Sequence, residues 1–173
     1  GLSLHAFVLT PDSSPQWQHL GVVHDDALTN FPPKRLPTGE WMMSRRDHRT
    51  RVHMLVGGTR TFDQWRSFSM ADTEGGSLRP GEPYWWVLPD DSVMALFRDD
   101  SRSGYLHRSL SSDNGRTWTR PVKTNFPDAT SKFNGVRLTD GRYVLVSNPN
   151  PRVRDPLAIS ISDDGLVFHT MGY

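Results

Sequence analysis

The stretch SSDNGRTW at residues 111–118 fits the pattern S-x-D-x-G-x-x-W, which is typical of a tight turn between two antiparallel β-strands. The side chains of Ser111 and Asp113 can form hydrogen bonds with the backbone of their own turn. Gly115 supplies a position with positive φ, and Trp118 can pack the returning strand against its neighbour. We therefore predict a structural role for these four residues and call this segment the box turn.

Weaker copies of the box turn recur along the chain, at 10–17 (TPDSSPQW), 58–65 (GTRTFDQW) and 161–168 (ISDDGLVF). The aromatic residues that end the four copies are spaced by 48, 53 and 50 residues. A period of about 50 residues is that of a propeller blade. The sequence therefore predicts an all-β fold, a β-propeller built of four-stranded antiparallel blades, of which only about half a propeller is present. We expect one partial propeller domain over 1–173, with a half blade at 1–20 and three blades at 21–70, 71–122 and 123–173.

Alternating apolar residues and turn signals place four strands in each of these blades. The expected strands are 32–36, 40–46, 51–56 and 65–70, then 84–88, 92–98, 104–110 and 118–122, then 133–138, 142–148, 156–162 and 167–171, with one earlier strand at 4–10. An immunoglobulin-like sandwich also contains many short strands, but its strands share no fixed long period. The repeat therefore favours the propeller.

Composition limits the classes of function. The chain has 173 residues, a net charge of +1 and no cysteine, so it offers no strongly basic surface for nucleic acid, no disulfide and no thiolate metal site. No apolar run is long enough to span a membrane, and no signal peptide is visible. The lack of cysteine fits either a reducing cytoplasm or a bacterial secreted enzyme. The compartment stays open, and a secreted or periplasmic location is our expectation.

The loops of a four-stranded meander divide between two ends of the sheet. The box turns share one end with the turns between first and second strands. The other end collects longer loops rich in ionisable residues, at 22–30, 44–51, 71–83, 98–104, 123–132 and 147–155. Function tends to lie on such loops when a rigid scaffold holds them. We therefore expect the functional site at this second end, which we call the site end.

Three polar residues occupy the same place at the end of the second strand of successive blades. They are Arg46, Arg98 and Asn148, spaced by 52 and 50 residues. The forked donors of arginine match a carboxylate, so the pair of arginines indicates an acidic sugar or another organic anion as ligand. In the alternative interpretation, each arginine only forms an ion pair with a nearby loop aspartate, such as Asp47 or Asp100.

Other residues complete the candidate site. His48 lies two residues after Arg46, and an imidazole can donate or accept a proton near neutral pH, so His48 is a candidate catalytic residue with its neighbour Asp47. His24, Lys132 and Arg154 lie in loops of the site end and are candidate substrate-binding residues. The sequence does not pair any two carboxylates as acid and nucleophile.

No zinc-protease motif, phosphate-binding glycine loop, nucleophile elbow or EF-hand loop occurs in the chain. We therefore expect neither a cofactor nor a metal.

The unit VLPDDSVMALFRDDSRSGYLHRSLSSDNGRTWTRPV at 87–122 resembles the repeats of the sialidase (neuraminidase) superfamily. Those repeats combine a turn of this pattern, the Asp box, with a preceding strand that ends in arginine. The resemblance implies an arginine cluster that binds the substrate carboxylate. In this chain it implies that role for Arg46 and Arg98. It also implies an aspartate as acid/base and a tyrosine nucleophile backed by a glutamate, but no position of this chain matches that tyrosine or that glutamate, and no clear F/Y-R-I-P motif is present.

The stretch at 124–168 looks more like a related branch that acts on rhamnose linked to glucuronic acid, as α-L-rhamnosidases or as L-rhamnose-α-1,4-D-glucuronate lyases. That resemblance implies histidine chemistry and arginines that hold the uronate, and SRRDHR at 44–49 suits it. Asp boxes also occur in non-catalytic propellers such as sortilin-like receptors, so a propeller that binds glycan or protein is the other class.

We therefore expect a carbohydrate-active enzyme, or a fragment of one, that cleaves a glycosidic bond at a terminal acidic sugar. Its partner would be an oligosaccharide or polysaccharide, with no nucleic acid and no membrane. We also expect the remainder of the propeller, or another chain, to cover exposed blade faces.

Overall fold

The computed structural model describes residues 2–11, 13–70 and 78–173. Within these ranges the ordered elements are all β-strands, and each sheet is antiparallel with strands in chain order. Part of the expected loop at 71–83 lies outside the described residues.

Fourteen strands form four sheets. The first sheet has two strands, β1 (Leu4–Leu9) and β2 (Trp17–His24), and each of the other three has four. These are β3 (Lys34–Arg35), β4 (Trp41–Arg46), β5 (Val52–Gly57) and β6 (Trp65–Ser69); β7 (Pro80–Val87), β8 (Val93–Asp99), β9 (Tyr105–Ser111) and β10 (Val122–Pro127); and β11 (Asn134–Arg137), β12 (Tyr143–Ser147), β13 (Ala158–Ser162) and β14 (Thr170–Gly172). The predicted fold class, all-β with four-stranded antiparallel blades, is confirmed.

The largest differences from the expected strands lie beside box turns. The sequence pattern does not predict β2, because the residues of this strand are mostly exposed and show no clear apolar alternation. The strand expected at 118–122 begins only at Val122, because Trp118 stays in the turn, where its indole Nε1 donates to the Gly115 carbonyl at 3.0 Å. β2 ends at His24 and β10 ends at Pro127. The expected half blade ends at residue 20 and the expected second whole blade at residue 122. The division of the chain into these blades stays a prediction.

The apolar core lies between adjacent four-stranded sheets. Because successive side chains of a strand point to opposite faces, Tyr84 and Trp86 of β7 lie on one face of the sheet and Trp85 lies on the other. Tyr84 and Trp86 pack in the core shared with the last sheet, which includes Tyr143, while Trp85 packs in the core shared with the sheet of β3–β6, which includes Met42. Both cores are dense with fully buried side chains, so the sheets hold the strand ends in fixed positions.

The box turn at 111–118 is fixed by its own side chains. The Asp113 carboxylate accepts hydrogen bonds from the Ser111 hydroxyl at 2.8 Å and from the Thr117 amide at 2.8 Å, and the Ser111 oxygen accepts one from the Gly115 amide at 2.8 Å. Gly115 has a φ of 81°, and a Cβ at this position would lie 2.2 Å from the sulfur of Met42 in the preceding sheet. The glycine therefore serves both the turn and the contact between sheets.

The four box-like turns lie at one end of the molecule. They connect β1 to β2, β5 to β6, β9 to β10 and β13 to β14, so each joins equivalent strands of its sheet. The ends of β4, β8 and β12 lie at the opposite end, which is the site end.

Candidate functional site

Arg46 and Arg98 come together at the site end. Arg46 is the last residue of β4 and Arg98 is the penultimate residue of β8. Both side chains approach the same two carboxylates, those of Glu82 and Asp100. The Arg46 guanidinium lies 3.8 Å from Glu82 and 3.6 Å from Asp100, and that of Arg98 lies 3.0 Å from Glu82 and 2.8 Å from Asp100. We call these four residues the arginine–carboxylate cluster.

The arginine–carboxylate cluster is balanced in charge but not fully hydrogen-bonded. The two arginine side chains are 17% and 16% exposed. The Nε atoms of both arginines and Oε2 of Glu82 have no hydrogen-bond partner among the described residues, although Arg98 Nε lies 2.8 Å from Asp100. The arginines thus lie close enough to share one anion, and the anions they share here belong to the protein itself.

A bulge in β7 brings Glu82 into the cluster. The pairing of β7 with β8 shifts register between Gly81 and Tyr84, and Glu82 itself has a φ of 49°. A Cβ on Gly81 would lie 2.7 Å from a carboxylate oxygen of Asp100, so only glycine leaves room for that carboxylate. The sequence pattern does not single out Glu82, although the Gly–Glu pair just before the expected strand 84–88 is a signal of a bulge.

His48 pairs with Asp26, from the loop after β2. The His48 Nδ1 lies 2.7 Å from Oδ2 of Asp26, and the His48 backbone amide donates to Oδ1 at 2.8 Å. The hydrogen bond from the His48 side chain holds the pKa of Asp26 below its ordinary value. The histidine side chain is 57% exposed, so its Nε2 faces an open cleft that Ser3 and Asp25 also line. We call Asp26 and His48 the histidine dyad.

The loop that carries Asp26 is held by Arg45. The Arg45 guanidinium donates to the Asp26 carbonyl at 2.6 Å and to the Ser67 hydroxyl at 3.0 Å, and the residue is buried. Arg46, the next residue, reaches the arginine–carboxylate cluster from the other face of β4, and its backbone pairs with Leu28. Through these two arginines, β4 contacts the loop of the histidine dyad on one face and the arginine–carboxylate cluster on the other.

Asp47 is enclosed in its own turn. One carboxylate oxygen accepts from the amides of Arg49 and Arg51, both at 2.9 Å, and the other accepts from Arg51 Nε at 2.7 Å and lies 3.3 Å from His53. Burial favours the neutral acid, but the hydrogen bonds from Arg51 and His53 outweigh it and hold the pKa well below the ordinary value. This environment suits a turn-stabilising carboxylate and leaves Asp47 little capacity to accept a proton.

Asn148 and Arg154 hold the long loop of the last sheet. The Asn148 amide donates to the carbonyls of Arg154 and Pro156, both at 3.1 Å, and its oxygen accepts from the Ser131 hydroxyl at 2.9 Å. Because these bonds occupy the amide and the residue is buried, Asn148 has little left for a ligand. The Arg154 guanidinium donates to the Thr130 carbonyl at 3.1 Å and is otherwise exposed.

Lys132 and His24 contact backbone oxygens. The Lys132 ammonium donates to the Asn30 carbonyl at 3.1 Å and lies 4.9 Å from the centre of the Phe31 ring. His24 Nδ1 lies 2.5 Å from the Asp25 carbonyl. Lys132 thereby ties the last sheet to the segment that follows β2, and His24 lies at the base of the loop that carries the histidine dyad.

Asp128 is a buried carboxyl group that the sequence analysis did not select. Its side chain is 1% exposed, and Oδ1 has no hydrogen-bond partner among the described residues. Burial raises the pKa to about 6, although the amides of Ser131 and Thr130 and the charges of Arg98 and Arg154 oppose that shift. The carboxyl group lies in a segment expected to be a loop, and only its burial distinguishes it from the other aspartates.

The described residues contain no group of three or more His, Cys, Asp or Glu side chains placed to hold a metal ion. Across the same residues, no helix is long and apolar enough to cross a membrane.

Comparison with solved structures finds several of similar fold. A protein of unknown function from Dyadobacter fermentans superposes with a TM-score of 0.67 and 18% identity over 92% of this chain and 48% of that one. The intramolecular trans-sialidase from Ruminococcus gnavus gives a TM-score of 0.70 and 18% identity over 88% of this chain and 34% of that one. An α-L-arabinofuranosidase from Fusarium graminearum gives a TM-score of 0.62 and 15% identity over 94% of this chain and 55% of that one. The chain thus spans about half or less of the length of these structures.

No curated protein sequence matches the chain. The sequence profile described as BNR repeat-like domain matches residues 7–171, which is nearly the whole chain. With its four-stranded antiparallel sheets and its likeness to sialidase structures, the chain belongs to the BNR repeat-like domain family and has the blade architecture of a sialidase-like propeller.

Proposed function

We propose that the intact protein is a carbohydrate-active enzyme that cleaves a glycosidic bond beside an acidic sugar. The observation that carries this proposal is a pair of arginines close enough to share one anion, together with an exposed His48 that is oriented by Asp26 and follows Arg46 by two residues at the same end of β4. Solved structures of similar fold include sialidases and an arabinofuranosidase, which supports the class of glycosidic chemistry.

Arg46 and Arg98 would recognise the substrate carboxylate. Glu82 and Asp100 hold the two guanidinium groups side by side before a ligand arrives. Because the cluster already balances two positive charges with two negative ones, an incoming carboxylate must compete with an internal one. We therefore expect modest affinity for the anion alone, with further binding energy from the sugar.

His48 would accept or donate the proton that moves during cleavage of the glycosidic bond. Asp26 engages Nδ1 of His48, which leaves Nε2 directed to the cleft as the atom that accepts or donates a proton. Asp26 stays ionised near neutral pH because its pKa is lowered. A fixed carboxylate behind an imidazole orients the ring and sets which nitrogen faces the substrate.

One observation favours the lyase alternative. Most glycosidases use two carboxyl groups that flank the scissile bond. Here Glu82 and Asp100 are engaged by arginines, while the exposed acid–base group is a histidine. In a lyase acting on rhamnosyl-glucuronate, His48 would remove the proton at C5, the electron pair of that C–H bond would form the C4–C5 double bond, and the C4–O bond would break with protonation of the leaving oxygen. An α-L-rhamnosidase is the hydrolytic counterpart on the same sugar.

One observation favours a non-catalytic propeller that binds glycan or protein. The arginine–carboxylate cluster satisfies its charges without any ligand, as a purely structural cluster would. In that case the histidine dyad would only fix the loop after β2.

The deciding experiment is an assay of the intact protein on sialyl-lactose-type and rhamnosyl-glucuronate substrates. Release of free sugar with no ultraviolet absorbance indicates a hydrolase, and an unsaturated uronate that absorbs in the ultraviolet indicates a lyase. We expect His48→Ala to lower turnover by about 100-fold or more while anion affinity changes little.

The matched control is His169→Ala, since His169 is similarly exposed and lies 3.5 Å from Asp163 at the box-turn end. Full activity in the His48→Ala protein would contradict the assignment of His48. Absence of activity on both substrate classes would favour the binding propeller.

A further inference from the structure

A small cavity lies between the sheet of β7–β10 and the last sheet, at the edge strand β10. Its volume is about 270 Å³, which is at the lower limit for a small-molecule site. The apolar part of its wall includes Leu96, Phe126, Leu166 and Phe168, and the rings of Phe126 and Phe168 meet edge to face at 5.9 Å. The cationic residue whose side chain shares this face of the sheet is Arg108.

Arg108 stands on a face that is otherwise apolar. It pairs with Leu96 across the sheet, and its neighbours on the same face of β9 are Leu106 and Leu110, which pack in the core shared with the last sheet. Lys123 also borders the cavity, but its ammonium lies over the Tyr105 ring, on the other face of the sheet. Arg108 therefore places one positive charge against an apolar wall.

The strand registers show that the fold does not require a charge here. Position 108 pairs with Leu96 in the second four-stranded sheet, and the equivalent pairs are Ser44 with Met54 in the first and Val146 with Ile159 in the third. The residues equivalent to Arg108 are thus a methionine and an isoleucine. An apolar residue occupies the equivalent position in both other sheets, so packing between strands does not by itself explain the charge of Arg108.

The charge of Arg108 is not compensated by the chain. Over residues 2–11, 13–70 and 78–173, Arg108 makes neither an ion pair nor a side-chain hydrogen bond, although it is partly buried. The Arg108 nitrogens are not among the buried atoms that lack a partner, so the guanidinium is open to the cavity and can accept an anion there. The hydroxyl of Thr124 donates to the Leu106 carbonyl at 2.7 Å, so Arg108 and the neutral Asn125 are the polar side chains of the lining that can turn to a ligand, and only Arg108 carries a charge.

We propose that this cavity binds a small organic carboxylate, with the carboxylate on Arg108 and the apolar face of the ligand against Phe126 and Phe168. An arginine fork matches a carboxylate, and either a flat hydrocarbon ring or the C–H face of a sugar can lie on aromatic rings. Two sources share this chemistry, an aromatic or aliphatic acid and an acidic sugar. This binding site shares no residue with the arginine–carboxylate cluster or the histidine dyad, so it stands apart from the proposed catalytic function.

The test is a titration of the protein with benzoate, D-glucuronate and D-glucose, followed by nuclear magnetic resonance on the ring signals of Phe126 and Phe168. We expect saturable shifts with at least one of the two acids and none with glucose. Tighter binding of benzoate indicates a hydrocarbon acid as the source, and tighter binding of glucuronate indicates an acidic sugar. The absence of saturable shifts with both acids would overturn the proposal.

Arg108→Met is the matched variant, because Met54 occupies the equivalent register. It should keep the fold and weaken acid binding by about 10-fold or more, the effect of losing a charge-assisted pair. Arg120→Met removes an exposed arginine from the segment between the box turn and β10, and it should leave acid binding unchanged. His48→Ala should also leave it unchanged, which separates this site from the proposed catalytic site.

If Arg108→Met fails to fold, Leu166→Trp gives an independent result. Leu166 lines the cavity and is 37% exposed, so a larger side chain can fill the space and leave Arg108 in place. Loss of the acid-induced shifts in Leu166→Trp supports the proposal. Unchanged binding in either variant would overturn it.

Discussion

Single residues of the site end show how environment, more than residue type, decides what a charged group can do. Asp47 and Asp128 are both buried aspartates. Asp47 accepts hydrogen bonds on both oxygens and stays ionised, whereas Oδ1 of Asp128 has no partner among the described residues and the pKa of Asp128 rises to about 6. Only Asp128 therefore changes its charge within the range of pH in which most proteins are stable.

Asp128→Asn should stabilise the protein above pH 6. A carboxyl whose pKa is raised on folding binds its proton more tightly in the folded state, so its contribution to stability is full below about pH 4 and is lost as the pH rises through about 6. The asparagine keeps an oxygen for the Thr130 amide and removes the buried charge. We expect a gain of about 1–3 kcal/mol in the free energy of unfolding at pH 8 and a smaller or no gain at pH 4, measured by urea denaturation.

The same measurement has a clear negative outcome. Equal stability of the two proteins at pH 4 and pH 8 would show that Asp128 does not titrate between these values.

Arg98→Lys should weaken recognition of acidic sugars. Arg98 reaches Glu82 through Nη1 and Asp100 through Nε, and a lysine ammonium cannot span both carboxylates in this way. We expect glucuronate affinity at the site end to fall by about 1.5–3 kcal/mol, while affinity for neutral sugars is unchanged, as measured by calorimetry.

Arg152→Lys, at an exposed position of a neighbouring loop, is the control for Arg98→Lys and should bind as the unaltered protein does. An equal loss of affinity for neutral and acidic sugars would indicate a general structural defect instead of a carboxylate contact.

At the scale of elements, the box turn links local folding to the contact between sheets. Asp113 accepts hydrogen bonds from three groups of its turn with one oxygen, and Arg116 extends from the turn to Glu40 in the preceding sheet at 2.6 Å. Burial of Asp113 opposes ionisation, but these hydrogen bonds lower its pKa to about 2. Its contribution to stability is therefore present above pH 4 and is lost as the pH falls through about 2.

Asp113→Ala should lower the free energy of unfolding by about 1–3 kcal/mol, because several backbone donors of the turn lose their acceptor. Asp163→Ala is the control in the last box-like turn, since Asp163 is 71% exposed and its one ion pair among the described residues is with His169. That control should change stability by less than about 0.5 kcal/mol. Thermal denaturation of both variants measures these changes in stability. Equal losses of stability in Asp113→Ala and Asp163→Ala would contradict the role of Asp113.

The elements also show what sequence patterns can and cannot predict about the site. The register of the repeats predicted that Arg46 and Arg98 lie together, because equal spacing places equivalent strand ends side by side. The partners of these arginines were not predictable, because Glu82 depends on a bulge that no periodicity reveals. The pairing of His48 with Asp26 was missed for a related reason, since β2 lacks apolar alternation and its following loop could not be placed.

At the scale of the whole molecule, the two outermost sheets carry apolar surface. Trp17 in the first sheet is 70% exposed, and Val136 and Ile159 in the last sheet are 51% and 52% exposed on one face. The other face of the last sheet packs in the core with Tyr143 and Leu145. We propose that the remainder of the propeller, or another chain, covers these faces, because exposed patches of this kind mark interaction surfaces.

The chain on its own should therefore self-associate. Light scattering over a range of concentrations should give an apparent mass that rises above 19.7 kDa as concentration increases. Val136→Lys combined with Ile159→Lys should shift this equilibrium toward the monomer. A stable monomer at all concentrations would contradict an obligatory partner for these faces.

The order of strands within each sheet has a consequence for how the chain acquires its fold. Each strand pairs with its neighbours in sequence, so every sheet closes short loops and has low contact order. Such sheets can form one after another as the chain emerges from the ribosome, and each new box turn docks onto the sheet made before it. Contacts such as that of Lys132 with Asn30, which join distant parts of the chain, form last and lock the sheets together.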